Sequence, residues 1–214
     1  MNPLWIWAGA LVLYGLFASW YNNWHQPLRA DEIEHYIDRF QALGEGGGPA
    51  PERLAAVRKF LEADDGGEFF MVNLVRLKPG KVAVPGSDEE LPAPQVLRKY
   101  TGYFMPALLR RAGHPAFFAR GAGGYVESWG VEPDPGWSFA GMIRYRSRRD
   151  MMELATDPAF DPAHGFKIAA IASTFAFPAA PGMVVLGPRI WVGLALGLMA
   201  ALGHLLLLTL GTRG

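Results

Sequence analysis

Four arginines, Arg144, Arg146, Arg148 and Arg149, crowd into one short stretch. Two of them fall in the first turn of a predicted helix, where the aligned peptide dipoles disfavour positive charge. An anionic ligand, a lipid headgroup or an acidic partner would relieve that cost. The plainer alternative is that Arg148 and Arg149 point to water and Asp150 compensates them, at a cost of about a few tenths of a kcal/mol. His114 and His164 stand near element ends and could serve as a general base or a haem ligand. No His-x-x-x-His or His-Glu-x-x-His spacing surrounds them, so their simpler roles are a Gly-His-Pro turn and a helix surface. Asn73, Tyr100, Tyr103 and Trp129 could line a pocket between sheet and helix, although aromatics at helical spacing also describe a core. The chain has no Ser-His-Asp order, Walker loop or Gly-x-Gly-x-x-Gly. It also has no cysteine, which excludes disulfides, thiolate catalysis and Cys-ligated zinc or iron–sulfur sites. Formal net charge is zero, so there is no basic field of the kind nucleic-acid binders use.

The elements that must position these residues begin with two apolar ends. Residues 3–20 carry no charge and can extend through Trp24; Trp5, Trp7, Trp20, Tyr21 and Trp24 cluster near the ends of the run. That is the pattern of an uncleaved anchor, since no Lys or Arg precedes it and no Ala-x-Ala-like site follows. Ile190–Leu210 is apolar apart from His204 and Thr209. Both stretches approach or exceed the roughly 20 residues needed to cross a bilayer. Gly193 and Gly197, continued by Ala200, Ala201 and His204, make a small-residue stripe, and Gly15 and Ser19 make a second. Such stripes let helices pack within lipid. His204 has two readings. It is either a haem axial ligand contributed by each copy of a dimer, or a neutral imidazole bonded to the neighbouring helix. Two spans put both termini on one side. Arg29 and Arg189 then tilt the intervening domain toward the cytoplasmic face of a bacterial inner membrane.

Between the spans, Ala30–Leu43 reads as a helix with a capping box from Asp31 and Glu34. Glycine-rich residues 44–50 break it, and a second helix follows at Pro51–Ala63. Glu68–Leu77 is a strand with Phe69, Met71, Val75 and Leu77 on one face and Phe70, Val72 and Leu74 on the other; both faces should be buried. Lys78–Pro94 is a long loop, mobile or functional. Gln95–Ala112 is a helix with Val96, Tyr100, Tyr103, Phe104, Ala107 and Leu108 inward, kinked or restarted at Pro106. Ala116–Arg120 and Tyr125–Trp129 read as strand pieces around a glycine hinge, and Trp137–Arg146 as the next strand. Ser147 and Asp150 signal a helix over Arg148–Thr156. Asp161-Pro162 starts another, with Asp161 as N-cap, and Thr174–Pro178 is the last strand. The domain boundaries expected are an anchor at 1–24, a helical linker region at 25–65, an α/β domain at 66–182 and a second span at 183–214. The fold class is α+β: strand, helix, strand, strand, helix, strand is the ferredoxin-like order, with helices on one face of an antiparallel sheet. The other face stays apolar, and pairing with a second copy is the economical way to bury it.

Residues 66–180 resemble the dimeric α/β-barrel superfamily, closest to an uncharacterised branch of small bacterial domains. The resemblance rests on Phe69-Phe-Met-Val-Asn-Leu, on Tyr100 and Tyr103 followed by Gly113, and on Arg144-Tyr-Arg-Ser-Arg-Arg-Asp-Met. Asp157-Pro-Ala-Phe and Lys167-Ile-Ala-Ala complete it. Members of that superfamily include cofactor-independent monooxygenases, haem-degrading enzymes and lyases, and fold alone does not transfer any of these activities. The expectation is therefore an accessory, assembly or small-ligand-binding subunit, homodimeric and in contact with the bilayer or another membrane protein. The alternative is a membrane-bound oxidoreductase or haem-handling enzyme acting on an apolar substrate.

Overall fold

The computed structural model describes residues 3–42, 50–184 and 187–211. Along the chain the elements run α1 (Leu4–Tyr21), α2 (Ala30–Ala42), α3 (Pro51–Glu62), β1 (Phe69–Leu77), β2 (Lys81–Ala83) and β3 (Glu90–Pro92). They continue with α4 (Ala93–Arg110), β4 (His114–Arg120), β5 (Phe139–Tyr145), α5 (Arg148–Ala155), a 3-10 turn at Pro158–Phe160, α6 (Asp161–Ala170), β6 (Ile171–Ala179) and α7 (Pro188–Gly211). They form two compact units, Met1–Trp24 with Pro181–Gly214, and His25–Ala180.

In the first unit, α1 and α7 are long and apolar enough to cross a membrane, with mean hydropathy 1.4 and 2.1. At about 1.5 Å per residue they span roughly 27 and 36 Å, against a hydrocarbon layer of about 30 Å. They run antiparallel. A Cβ added at Gly193 would meet Tyr14 at 3.4 Å, and one at Gly203 would meet Ile6 at 3.5 Å, while Ala200 is buried between them. Gly15 and Gly197 face open space. The close approach therefore uses Gly193, Ala200 and Gly203 rather than the Gly193–Gly197 pair. At one end Arg189 donates to Asn22 Oδ1 at 2.7 Å and covers the Tyr21 ring. Leu11, Leu16, Leu198 and Leu202 point outward.

The second unit is built on a four-stranded antiparallel sheet in the order β4-β5-β1-β6. Odd positions of β1 face a helical layer. Phe69 stacks on Tyr145 at 5.3 Å, and Ala107 and Leu108 of α4, Leu154 of α5, Phe160 and Ala163 of α6 close over them. Even positions face the other way. The register places Val72 between Met142 and Phe177, and Leu74 between Ala140 and Phe175. Within the His25–Ala180 unit no element among the described residues packs across the middle of that face: Phe70, Val72 and Leu74 are half-buried, and Phe117, Met142, Phe175 and Phe177 are exposed. The expected burial of β1 on both sides therefore holds for one side only. Both edges carry a proline, Pro115 in β4 and Pro178 in β6, and β4 slips register just after Pro115; edge strands tolerate the missing N–H.

Several expectations are corrected. Residues 25–65 are part of the same compact unit as the sheet, not a linker: Leu28, Ile33, Tyr36, Ile37, Phe40 and Leu61 share a core with Met152 of α5. At the start of α2 the reciprocal carboxylate is Glu32, which accepts from Arg29 N at 3.0 Å. Asp31 instead pairs with Arg29, and Glu34 with Arg58. The stretch 78–94 is no open loop; β2 and β3 form a hairpin whose Val84 packs with Ala93, Val96 and Ala170. Tyr125–Trp129 forms no strand. Val126 and Trp129 are exposed there, and the loop is tied by Asp134, which accepts from Tyr125 N and Gly136 N. Gly121 is required where it stands, because a Cβ would fall 2.3 Å from Trp137 O. α4 continues through Pro106, and Phe160, not Asp161, occupies the N-cap of α6. The start of α5 is as expected, with Ser147 Oγ accepting from Asp150 N at 3.1 Å. Leu43 and all of 44–50 except Ala50 lie outside the described residues.

Candidate functional site

Each of the four clustered arginines has a carboxylate partner inside its own unit. Arg144 is 1% exposed; it donates through Nε and Nη2 to Glu68 at 2.9 and 2.5 Å, and through Nη1 to Ala112 O at 2.6 Å. Ala112 closes α4 in the left-handed region (φ 54°), so this guanidinium holds the helix end against the start of β1. Arg146 forms a bidentate pair with Asp150 at 2.7–2.8 Å, and that carboxylate also accepts from Ser147 Oγ. Arg148 lies 4.6 Å from the Phe60 ring centre, donates to Phe60 O and stands 3.4 Å from Asp64. Asp64 in turn accepts from Leu28 N at 2.8 Å. Arg149 pairs with Glu32 and reaches Gln26 O. Its hydrogen bond, ahead of that from Arg29 N, holds the Glu32 carboxyl below its ordinary range. Arg148 and Arg149 are thus each paired within the unit. They clamp the α2–α3 pair onto α5, and Tyr36 adds a third tie by donating to Glu153 at 2.7 Å.

A different cluster forms where α4 meets α6. Tyr100 stacks on Phe104 at 5.5 Å, and the His164 ring lies 6.4 Å from both Tyr100 and Phe160. Lys167 Nζ stands 5.6 Å from the centre of the Tyr100 ring, a cation–π geometry. Positions 160, 164 and 167 share one face of the α6 segment, which is why three residues of such different chemistry converge. Lys167 is half-buried. Burial and then the nearby charge of Arg53 hold its ammonium below the usual lysine range, and burial pushes the Tyr100 phenol up to about 12. Perturbed groups clustered this way are a site signature, though ion-pair scaffolds share it. The candidates Tyr100 and His164 are brought together here; Lys167 and Arg53 were not singled out as site residues from the sequence.

The remaining candidates scatter. Asn73 Nδ2 donates to its own strand at Met71 O, 2.8 Å away. Tyr103 is 57% exposed and Trp129 83% exposed, so neither lines a pocket with Tyr100. His114 begins β4 opposite Arg144 on the uncovered face, its Nδ1 3.0 Å from Pro115 O. In the membrane-type unit, Trp7 Nε1 donates to His204 Nδ1 at 3.1 Å. A haem-ligating imidazole normally donates from its other nitrogen to an acceptor; His204 does the reverse, so its surroundings do not fit haem ligation. Among the described residues no group of His, Asp and Glu is assembled to hold a metal ion.

No protein-family model matches the chain, and no curated protein matches it. Two crystal structures of RPA0582, a protein of unknown function from Rhodopseudomonas palustris, are similar to it. One aligns at 25% identity with TM-score 0.50, covering 65% of this chain and 94% of that one. The other aligns at 23% identity with TM-score 0.50, covering 64% and 96%. The likeness is one of fold, a sheet-and-helix architecture shared with a smaller protein.

Proposed function

We propose that this chain is a membrane-anchored module of the ferredoxin-like, dimeric α/β-barrel type. In this reading two copies pair through the open sheet face, and the module serves as an accessory, assembly or small-ligand-binding subunit of a membrane complex. The observation that carries the proposal is the contrast between a fully packed helical face and an apolar face left bare at Phe117, Met142, Phe175 and Phe177. Apolar patches of that kind mark interaction surfaces. The strand order and the strand–helix succession around β1 support the ferredoxin-like assignment. α1 and α7, with their outward leucines, support insertion in a bilayer, and Arg29 and Arg189 favour a cytoplasmic domain.

The test is native mass measurement of the full-length chain extracted into a mild detergent, alongside alkaline-carbonate washing of membranes. The expected result is a dimer that stays with the membrane through the wash. A chain released by carbonate sinks the anchoring. A strictly monomeric species, unchanged by Phe177→Asp, sinks the pairing.

A further inference from the structure

Among the described residues of the His25–Ala180 unit, exposed large apolar side chains gather in two places. Phe117, Met142, Phe175 and Phe177 stand on the bare sheet face, and Tyr125, Val126, Trp129 and Val131 stand in the loop between β4 and β5. The others, Tyr103, Leu109, Phe118 and Ile168, are dispersed over α4, β4 and α6. That loop is far longer than its connection needs. Residues 121–138 join two adjacent antiparallel strands, a task for which about two to five residues suffice. It is also held in shape: Asp134 accepts from Tyr125 N and Gly136 N, and Trp137 Nε1 donates to Tyr125 Oη at 3.0 Å. Its roots are fixed to the sheet, where Gly121 N donates to Ser138 O at 2.9 Å and Ser138 N donates to Val75 O at 2.8 Å. A loop tied in this way, with Val126 and Trp129 held out in water, loses little further freedom when it meets a surface.

We infer that the 121–138 loop is an arm that closes over a second copy of the chain and extends the contact made by the sheet face; the inference rests on the pairing proposed above. Area points to this occupant. Phe117, Met142, Phe175 and Phe177 are 37–55% exposed, which leaves about 400 Å² of apolar surface among them at about 200 Å² per side chain. A lasting homodimer buries about 1,000 Å² or more per partner, about two-thirds of it apolar, so the sheet face alone falls short. Val126, Trp129 and Val131 carry about as much again. Position points the same way. The unit's two ends, His25 beside Gly66 and Ala179 paired with Phe70, lie at the start of β1. The loop's roots lie at the far end of that strand, about 17 Å along it. The chain leaves toward its apolar helices from the end opposite the loop, which favours a second copy over the bilayer. The exposed acids Glu127 and Glu132 also oppose insertion among anionic headgroups. Arg76, exposed on the even-numbered side of β1 near the loop's roots, offers those acids a cation where like ends of two sheets meet.

The experiment is sedimentation of the full-length chain in mild detergent across a dilution series, joined to site-directed cross-linking. Val126→Ser with Trp129→Ser is expected to weaken pairing about tenfold or more, while far-ultraviolet circular dichroism stays that of the parent chain. Ile168→Ser, at an exposed apolar position on α6, should leave pairing unchanged. Because the chain has no cysteine, Ser128→Cys supplies a single thiol beside Trp129 for a benzophenone label. In a mixture of isotope-heavy and light chains, irradiation should join residue 128 of one chain to a peptide of the other. Adducts with detergent or lipid alone, or within the same chain alone, overturn the proposal, as does undiminished pairing in the double variant. Undiminished pairing that Phe177→Asp nonetheless abolishes removes the arm and keeps the face contact. A parent chain that is monomeric at every concentration removes both.

Discussion

The two faces of the sheet are made from the same strands and nearly the same residue types, yet only one is finished. On the odd-numbered side of β1, Phe69 and Met71 pack with residues of α4, α5 and α6, and Val75 is buried. On the even-numbered side, residues just as apolar stay half-buried or exposed among the described residues of the unit. Alternation in a strand assigns residues to faces and leaves open what covers them. A face that is apolar without a cover leaves room for a second surface, and a face sealed by a packed helical layer does not.

The largest expected effect is that of Arg144→Met, which unties the end of α4 from the start of β1. It takes the buried guanidinium away from half-buried Glu68 and from Ala112 O, and should cost about 3–5 kcal/mol of unfolding free energy, read by denaturant titration. Leu108→Ala, in the helical layer that finishes the other face, should follow at about 2–5 kcal/mol. Phe177→Ser on the bare side should change monomer stability by about 0.5 kcal/mol or less, as exposed substitutions do, while lowering the fraction of dimer at fixed protein concentration. If it costs as much as Leu108→Ala, the bare face is core already, and folding and pairing are one event.

A gentler probe is pH. The Tyr100 phenol titrates at about 12 in the folded chain, above the 10 of an unperturbed tyrosine. Between those values the unfolded chain has lost a proton that the folded chain keeps. Stability should therefore be full below pH 10 and fall as pH rises toward 12. Absorbance at the phenolate band should show Tyr100 ionising late, and Tyr100→Phe should remove that step and lessen the stability loss, the rest coming from Tyr36 and Tyr145, whose phenols burial also raises.

What the sequence made legible follows the range of the interactions. The β1 alternation and the Ser147–Asp150 helix start are local patterns, and both are present in the structure. So are the two apolar helices at the ends. The β2–β3 hairpin was missed because strands of three residues separated by Pro85 and Gly86 carry no periodicity. The partners of Arg148 and Arg149 were not legible because Phe60 and Glu32 stand 88 and 117 positions away. A lone lysine in a short helix carries no motif, so the Lys167 cluster could emerge only once α4 and α6 were placed together.

Those long separations also govern how the chain is made. α2 and α3 leave the ribosome with Ile33, Ile37 and Phe40 already patterned for burial, but Met152 and Arg149, which complete their seat, come more than a hundred positions after Glu32. At roughly 5–20 residues per second, the interval is on the order of ten seconds. Throughout it the helical pair is a nascent amphipathic surface whose seat has not yet been made.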